Sequence, residues 1–334
     1  MIRYKCTVEY CGAKYCGWQS QRHGDSVQEQ IESALELIIG VHTPILAAGR
    51  TDAKVNAWGQ VFQFDTDRDM SERKWQGAIN GFLPGDIHIR KVEKVSHLFH
   101  ARYCVRDKRY DYRINLGEYN VFRKDAAYQC PYPVNVGAMK QGAQYLIGTH
   151  DFTSFNSNSL KETPDQVRTI ESISFSMEGE ELVISYRGRG FLRYMVRMMT
   201  AALLECGRGR MKPEQIQILL EARSKTVARR NAKPEGLTLM EVNYFEVIAE
   251  TNQSVVREFL PEDGDQMVPG AYAFAGRHEE RLYGEFRILE EEAVLETDAE
   301  HAEEAEQLVP QLEISAGKPC RLVIHDQKSS ESQS

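Results

Sequence analysis

A short polar run, Gly49-Arg50-Thr51-Asp52, precedes the apolar stretch Val61-Phe62-Gln63-Phe64. An aspartate there is the right type to act as a nucleophile or as a base, and a nearby guanidinium favours its charged form. The plain alternative is a loop salt bridge between Arg50 and Asp52, and composition alone does not separate the two. A second cluster, Phe99-His100-Ala101-Arg102 and then Lys108-Arg109-Tyr110-Asp111-Tyr112, interleaves cations with aromatic rings. Cations meet phosphates and a tyrosine face stacks on an unpaired base, so the pattern suits RNA. It equally suits an ordinary strand with Tyr110 in the core. In a third cluster, Arg187 to Arg197, Arg197 stands between Val196 and Met198, one helical turn after Arg193. A guanidinium held in such an apolar stretch needs a carboxylate partner, and any acid of the chain would serve. In the fourth, Gly148 to Phe155, His150 and Asp151 invite an acid–base reading, while a turn capping the preceding helix explains them as well.

These residues are far apart in the chain, so folded elements must gather them. Tyr4, Cys6, Val8 and Tyr10 alternate as a half-buried strand does. Ser26-Val27-Gln28-Glu29 is a capping box, and Val27, Ile31, Ala34, Leu35 and Ile38 form a helical stripe behind it. Val61 to Phe64 predicts a strand, Ser71 to Gly81 a helix and Ile87 to Val95 another strand. The second half opens with the alternation of Tyr110, Tyr112, Ile114 and Leu116. Asn135 is placed to cap a helix that Gly148 would stop. Ile170 to Met177 and Leu182 to Tyr186 read as a hairpin about Glu178-Gly179-Glu180. The pattern predicts a helix from about Phe191 to Glu205, a further helix with Pro213 at its first position, and a closing strand from Leu237 to Val247. Two α+β halves, residues 1–103 and 104–248, imply a duplicated sheet-plus-helices unit with a cleft between them. Residues 249–334 form an acidic extension, read as a small α+β appendage or a partly disordered tail, with Arg287 to Glu296 and Arg321 to His325 as its candidate strands and Lys328 to Ser334 as disordered.

The net charge of −8 argues against nucleic acid until the chain is divided. Residues 251–334 hold 19 acidic and 7 basic residues, a balance of −12, and residues 1–250 carry +4. A mildly basic body is compatible with phosphate contacts. No apolar run reaches the length of a membrane span, and Met1 to Tyr10 lacks the apolar core of a signal peptide. The seven cysteines are scattered, with Cys6, Cys11 and Cys16 five apart, which fits neither a zinc spacing nor a redox pair. Reduced thiols in the cytoplasm are the expectation.

In this order and spacing, the pieces resemble the tRNA pseudouridine synthase A family. Tyr10 to Gln19 is similar to that family's opening segment, and Gly49-Arg50-Thr51-Asp52 through Gly59-Gln60-Val61 to its catalytic motif. Phe99 to Arg102, Arg109 to Tyr112, Gly148 to Phe155, Gly190 to Arg197 and Pro234 to Leu237 follow as that family has them. The resemblance covers residues 1–248. It implies an α+β fold with a central, mostly antiparallel sheet. It implies Asp52 as the catalytic carboxylate, with Arg197 as its ion-pair partner. Arg50 would help displace the target nucleotide and hold its phosphate, Tyr110 would stack on the target uracil, and Leu237 would line the base pocket. It further implies a homodimer whose paired subunits form the RNA-binding clefts, and uridines of the tRNA anticodon stem-loop as targets. Two positions depart from the family pattern: Lys54 stands where glycine is usual, and Asn56 where histidine is more common.

The residue types suit that chemistry by themselves. Turning uridine into pseudouridine breaks a C–N glycosidic bond and forms a C–C bond without net redox change, so no cofactor and no metal are expected. One ionised carboxylate can attack or deprotonate the ribose. The base must leave its stack at a cost of a few kcal/mol, offset by aromatic stacking and phosphate contacts. Neither a membrane nor DNA is an expected partner. The same chemistry on ribosomal RNA and a non-catalytic RNA-binding module are the alternatives. A glycoside hydrolase would call for two paired carboxylates, and the clusters offer one.

Overall fold

Tyr4, Cys6, Val8 and Tyr10 are all buried on one face of strand β1 (Ile2–Tyr10), as their alternation requires. The computed structural model describes residues 1–244 except 22, 23, 96–98, 103, 162 and 229, and beyond them 270–275, 282–288, 293–298, 306 and 320–325. After β1, helix α1 (Val27–Ile39) starts on the predicted capping box: the Ser26 hydroxyl accepts the Glu29 N–H, and the Glu29 carboxylate accepts the Ser26 N–H. Gly40, in the left-handed region at φ 92°, ends it. Strands β2 (Leu46–Ala47) and β3 (Asn56–Thr66), helix α2 (Glu72–Phe82) and strand β4 (Ile87–Val95) follow. Tyr4, Phe64 and Trp75 pack ring on ring at 5.1–5.5 Å between this sheet and α2. Each such ring contributes about 1.5–3 kcal/mol by leaving water.

The second stretch runs through β5 (Val105–Asn115), β6 (Tyr128–Gln129), α3 (Val136–Gln144), β7 (Gly148–Asp151), β8 (Val167–Glu178), β9 (Glu181–Gly188), α4 (Met195–Gly207), α5 (Gln215–Glu221) and β10 (Leu237–Tyr244). Asn135 caps α3 through the Ala138 N–H, as its type predicts. Ten strands form one sheet in the order β4-β1-β3-β10-β5-β9-β8-β7, with β2 beside β3 and β6 beside β5. Pairing is antiparallel except β10 on β3 and β6 on β5. The expected α+β architecture with a mostly antiparallel central sheet and flanking helices is the one observed. The last strand of the second stretch inserts between β3 and β5, so the two stretches share a continuous sheet.

Local differences from the sequence pattern have local causes. Helix α4 begins at Met195 rather than near Phe191. Tyr194 is left-handed at φ 65°, and the Arg193 N–H and C=O bond Asn158 and Ser157 instead of a helical ladder. Arg193 therefore precedes the helix that carries Arg197. Gly148 to Asp151 is a strand rather than a capping turn. The hairpin turn narrows to Gly179 and Glu180, with Gly179 at φ 61°. Helix α5 begins two residues after Pro213, whose carbonyl accepts the Ile216 N–H.

The compact unit just described comprises Met1–Val95, Val105–Ser159 and Gln166–Tyr244. A second unit comprises Ser96–Cys104, Leu160–Asp165 and Phe245–Ser334. In it, β11 (Gly270–Ala275), β12 (Leu282–Ile288), β13 (Ala293–Asp298) and β14 (Cys320–His325) form a four-stranded sheet in chain order, with β14 parallel to β13. The end of the strand expected over Leu237 to Val247 and the Lys328 to Ser334 tail lie outside the described residues. Among the described residues no helix is long and apolar enough to cross a membrane. Cys6, Cys11, Cys16, Cys104, Cys130 and Cys206 carry free thiols.

Candidate active site

The loop that carries Asp52 joins β2 to β3 and is held from three sides. The Gln60 amide donates to the Gly49 carbonyl at 2.8 Å, and the buried Tyr10 and Thr51 hydroxyls share a hydrogen bond of 2.8 Å. The Trp18 N–H bonds the Thr51 carbonyl at 3.1 Å, and the Lys54 N–H bonds the Tyr15 carbonyl at 3.2 Å. A Cβ on Gly17 would lie 2.7 Å from the Thr51 oxygen, so this approach needs glycine. Asn56 ties the end of the loop to three distant turns: it accepts the Gly12 N–H at 2.8 Å and donates to the carbonyls of Asp125 at 2.8 Å and Glu235 at 3.2 Å.

Arg197, on the first turn of α4, reaches this loop. Its Nη1 donates to Asp52 Oδ2 at 3.0 Å, and its Nε donates to the Ala232 carbonyl at 2.9 Å. Both side chains of the ion pair are mostly buried, Arg197 at 12% and Asp52 at 19% exposure. The guanidinium also lies 5.1 Å from the ring centre of Tyr194. The left-handed Tyr194 so turns the chain into α4 and covers the cation. The third cluster is therefore an ion pair, and its acid is Asp52. Arg50 is exposed on the same loop.

Tyr110 and Leu237 come to the loop through the sheet. In the β10–β5 register Leu237 faces Tyr112 and Leu239 faces Tyr110; in the β10–β3 register Thr238 faces Asn56. Tyr110 is buried, and Phe191 packs on it edge to face at 5.2 Å. Burial pushes its hydroxyl pKa upward, and the charges of Tyr10 and Asp52 push it further. Tyr110 is thus both a core residue and an electrostatic neighbour of Asp52. Alternation turns Arg109 and Arg187 to the opposite face, where Arg109 pairs with Glu241 at 3.1 Å and Arg187 with Asp107 and Glu241.

The remaining clusters have local contacts of their own. His150 bonds the Ile147 carbonyl at 2.9 Å, and Asp151 accepts the Thr153 N–H at 2.8 Å, so they organise their own backbone. Phe99 to Arg102 lies in the second unit, where the Arg102 N–H donates to His100 Nδ1 at 3.2 Å. Gly17 and Phe191 also help to build the site, and no signal of type or spacing of their own singles them out.

For Asp52, burial is the larger influence and raises its pKa above the ordinary carboxylate value, against the pull of Arg197 first and Arg193 second. The guanidinium favours the charged form, as expected, but desolvation outweighs it. What results is a single carboxylate, oriented by one guanidinium and set among apolar and aromatic side chains. Such a group can attack or deprotonate a substrate that expels the remaining water.

Residues 7–104 and 143–245 match a family model described as tRNA pseudouridine synthase. A tRNA pseudouridine synthase A from Anoxybacillus flavithermus is 43% identical over 245 residues, which span 73% of this chain and 99% of the relative. The tRNA pseudouridine synthase A 1 of Bacillus cereus is 43% identical over 246 residues, 73% and 99% of the two chains. One from an Exiguobacterium species is 41% identical over 247 residues, 74% of this chain and 100% of the relative.

Proposed function

Since the chain belongs to the tRNA pseudouridine synthase A family and is an isomerase of that type, we propose that it converts uridine to pseudouridine in tRNA with Asp52 as the reacting carboxylate. The observation that carries this reading is the 3.0 Å contact of Asp52 with Arg197, two residues 145 positions apart in the chain. Asp52, as nucleophile or as base on the ribose, opens the C1′–N1 bond. The freed uracil turns and C5 rejoins C1′. The C5 proton leaves and N1 gains one, so the product is an isomer of the substrate. Arg197 orients Asp52 and favours its anion, Tyr110 stacks on the displaced base, Leu237 lines the pocket and Arg50 holds the phosphate of the flipped nucleotide. The targets we propose are uridines of the anticodon stem-loop, and the working form a cytoplasmic homodimer that completes the RNA clefts. We further propose that residues 1–103 and 104–248 are the two halves of the synthase and 249–334 a separate appendage, which accords with a family match that ends at residue 245.

The test is pseudouridine mapping on purified tRNA and ribosomal RNA treated with the full chain or with Asp52→Asn. Modification by the wild type, its absence with Asp52→Asn and tRNA affinity within a few fold are the expected results. Substantial turnover by pure Asp52→Asn removes Asp52 from this role. Modification confined to ribosomal RNA moves the substrate, not the chemistry.

A further inference from the structure

Lys54 belongs to the loop of Asp52, yet nothing in the site described above uses its side chain. Its backbone sits at φ 64°, in the left-handed region, at the third position of a turn closed by the Val55 N–H on the Asp52 carbonyl at 3.1 Å. Residues with a Cβ are strained there, and glycine or asparagine is the usual occupant. The turn has no room to relax. Its Lys54 N–H is committed to the Tyr15 carbonyl at 3.2 Å, and a Cβ on Gly12 would overlap the Val55 carbonyl.

The side chain returns nothing to the fold. It is exposed, and among the described residues its ammonium makes no hydrogen bond or ion pair. Other lysines of this region are engaged: Lys14 with Asp86 at 2.9 Å, Lys124 with Asp125 at 2.7 Å and Lys108 with the Ala48 carbonyl at 2.9 Å. Nor does Lys54 serve Asp52, since the cations acting on that carboxylate are Arg197 and Arg193. A strained backbone holding an exposed, uncommitted cation beside the reacting carboxylate points to a ligand rather than to stability.

We propose that Lys54 is a substrate-binding residue whose ammonium takes a backbone phosphate of the RNA beside the target nucleotide. This rests on the RNA-modifying role proposed for Asp52. A nucleotide that delivers its ribose to Asp52 brings its flanking phosphodiesters to the rim of the loop. An ammonium on a flexible stem is a point charge suited to a phosphate oxygen. The rigid turn fixes where that stem leaves the surface. Such a contact sets register and affinity without reading sequence.

The experiment compares the full-length wild type with Lys54→Gln, Lys54→Arg and Lys54→Gly on unmodified tRNA, measuring Kd across a salt series, kcat, KM and the melting temperature. Lys54→Gln keeps the strain and removes the charge. It should bind several-fold more weakly, with a log Kd against log salt slope flatter by about 0.7–0.9 and kcat unchanged. Lys54→Arg should restore both affinity and slope. Lys54→Gly should bind as weakly as Lys54→Gln yet melt higher than the wild type. An unchanged Kd and salt slope in Lys54→Gln overturns the proposal. So does a lowered kcat at unchanged Kd, because the lysine would then act through Asp52. Failure of the functional reading shows separately, as a wild type that binds tRNA and forms no pseudouridine.

Discussion

Arg197 Nη1 and Asp52 Oδ2 meet at 3.0 Å, joining the first turn of α4 to the loop between β2 and β3. Neither residue has another charged partner at salt-bridge distance among those the structure describes. Two mostly buried charges held in this way depend on each other, and four expected outcomes follow from the site around them.

Asp52 is raised by burial, with Arg197 and then Arg193 opposing. The acid limb of kcat/KM should therefore lie above the ordinary aspartate value of about 4, with activity rising as the carboxylate ionises. The linked stability has the opposite sign. The folded state holds this proton more tightly than the unfolded chain does. The stabilisation is thus complete below the unfolded value and is lost as pH rises through the folded one. Melting scans of the wild type against Asp52→Asn, from acid to neutral pH, should show the wild type losing ground as pH rises. A limb at or below the free aspartate value contradicts this account.

Arg197→Met removes one member of the pair and also frees the Ala232 carbonyl. Loss of a buried partner costs about 3–5 kcal/mol, and the acid limb should move further upward because desolvation of Asp52 is then opposed by Arg193 alone. Denaturant unfolding and a pH–rate profile check both. Wild-type melting together with wild-type turnover would show that the pair matters to neither.

Asn56→Ala takes away one acceptor and two donor contacts from a buried position. Leaving those backbone groups unpaired costs about 1–3 kcal/mol. Because Asn56 begins β3 directly after the loop of Asp52, turnover should fall along with stability. Thermal melts and initial rates read this, and a variant that loses stability at constant kcat would confine Asn56 to the fold.

Truncation after Val247 should leave an active synthase with an unchanged salt dependence of tRNA binding. The removed part carries all of the acidic excess, with 19 acidic against 7 basic residues over 251–334. If it lay over the RNA cleft, its loss would tighten binding to unrelated RNA and steepen the salt slope. If the truncated chain failed to fold, the extension would be part of the core.

Much of this was legible locally. Alternation in Tyr4 to Tyr10, the capping box at Ser26, the Asn135 cap and the hairpin at Gly179 depend on neighbours within a few residues, and each stands in the structure as its pattern implies. The ordered series of motifs was likewise enough to name the family, because spacing along a chain survives without knowledge of contacts. Tertiary structure decided the rest. That β10 enters between β3 and β5 depends on strand pairing across more than a hundred residues, which no local period encodes. Which acid answers Arg197 is settled only when α4 and the β2–β3 loop are brought together. The start of α4 shifted because Asn158 and Ser157 claim the Arg193 backbone, a competition invisible in helix propensity. The raised Asp52 follows from burial, which depends on everything packed around it, whereas the presence of an arginine in the chain says only that a countercharge exists.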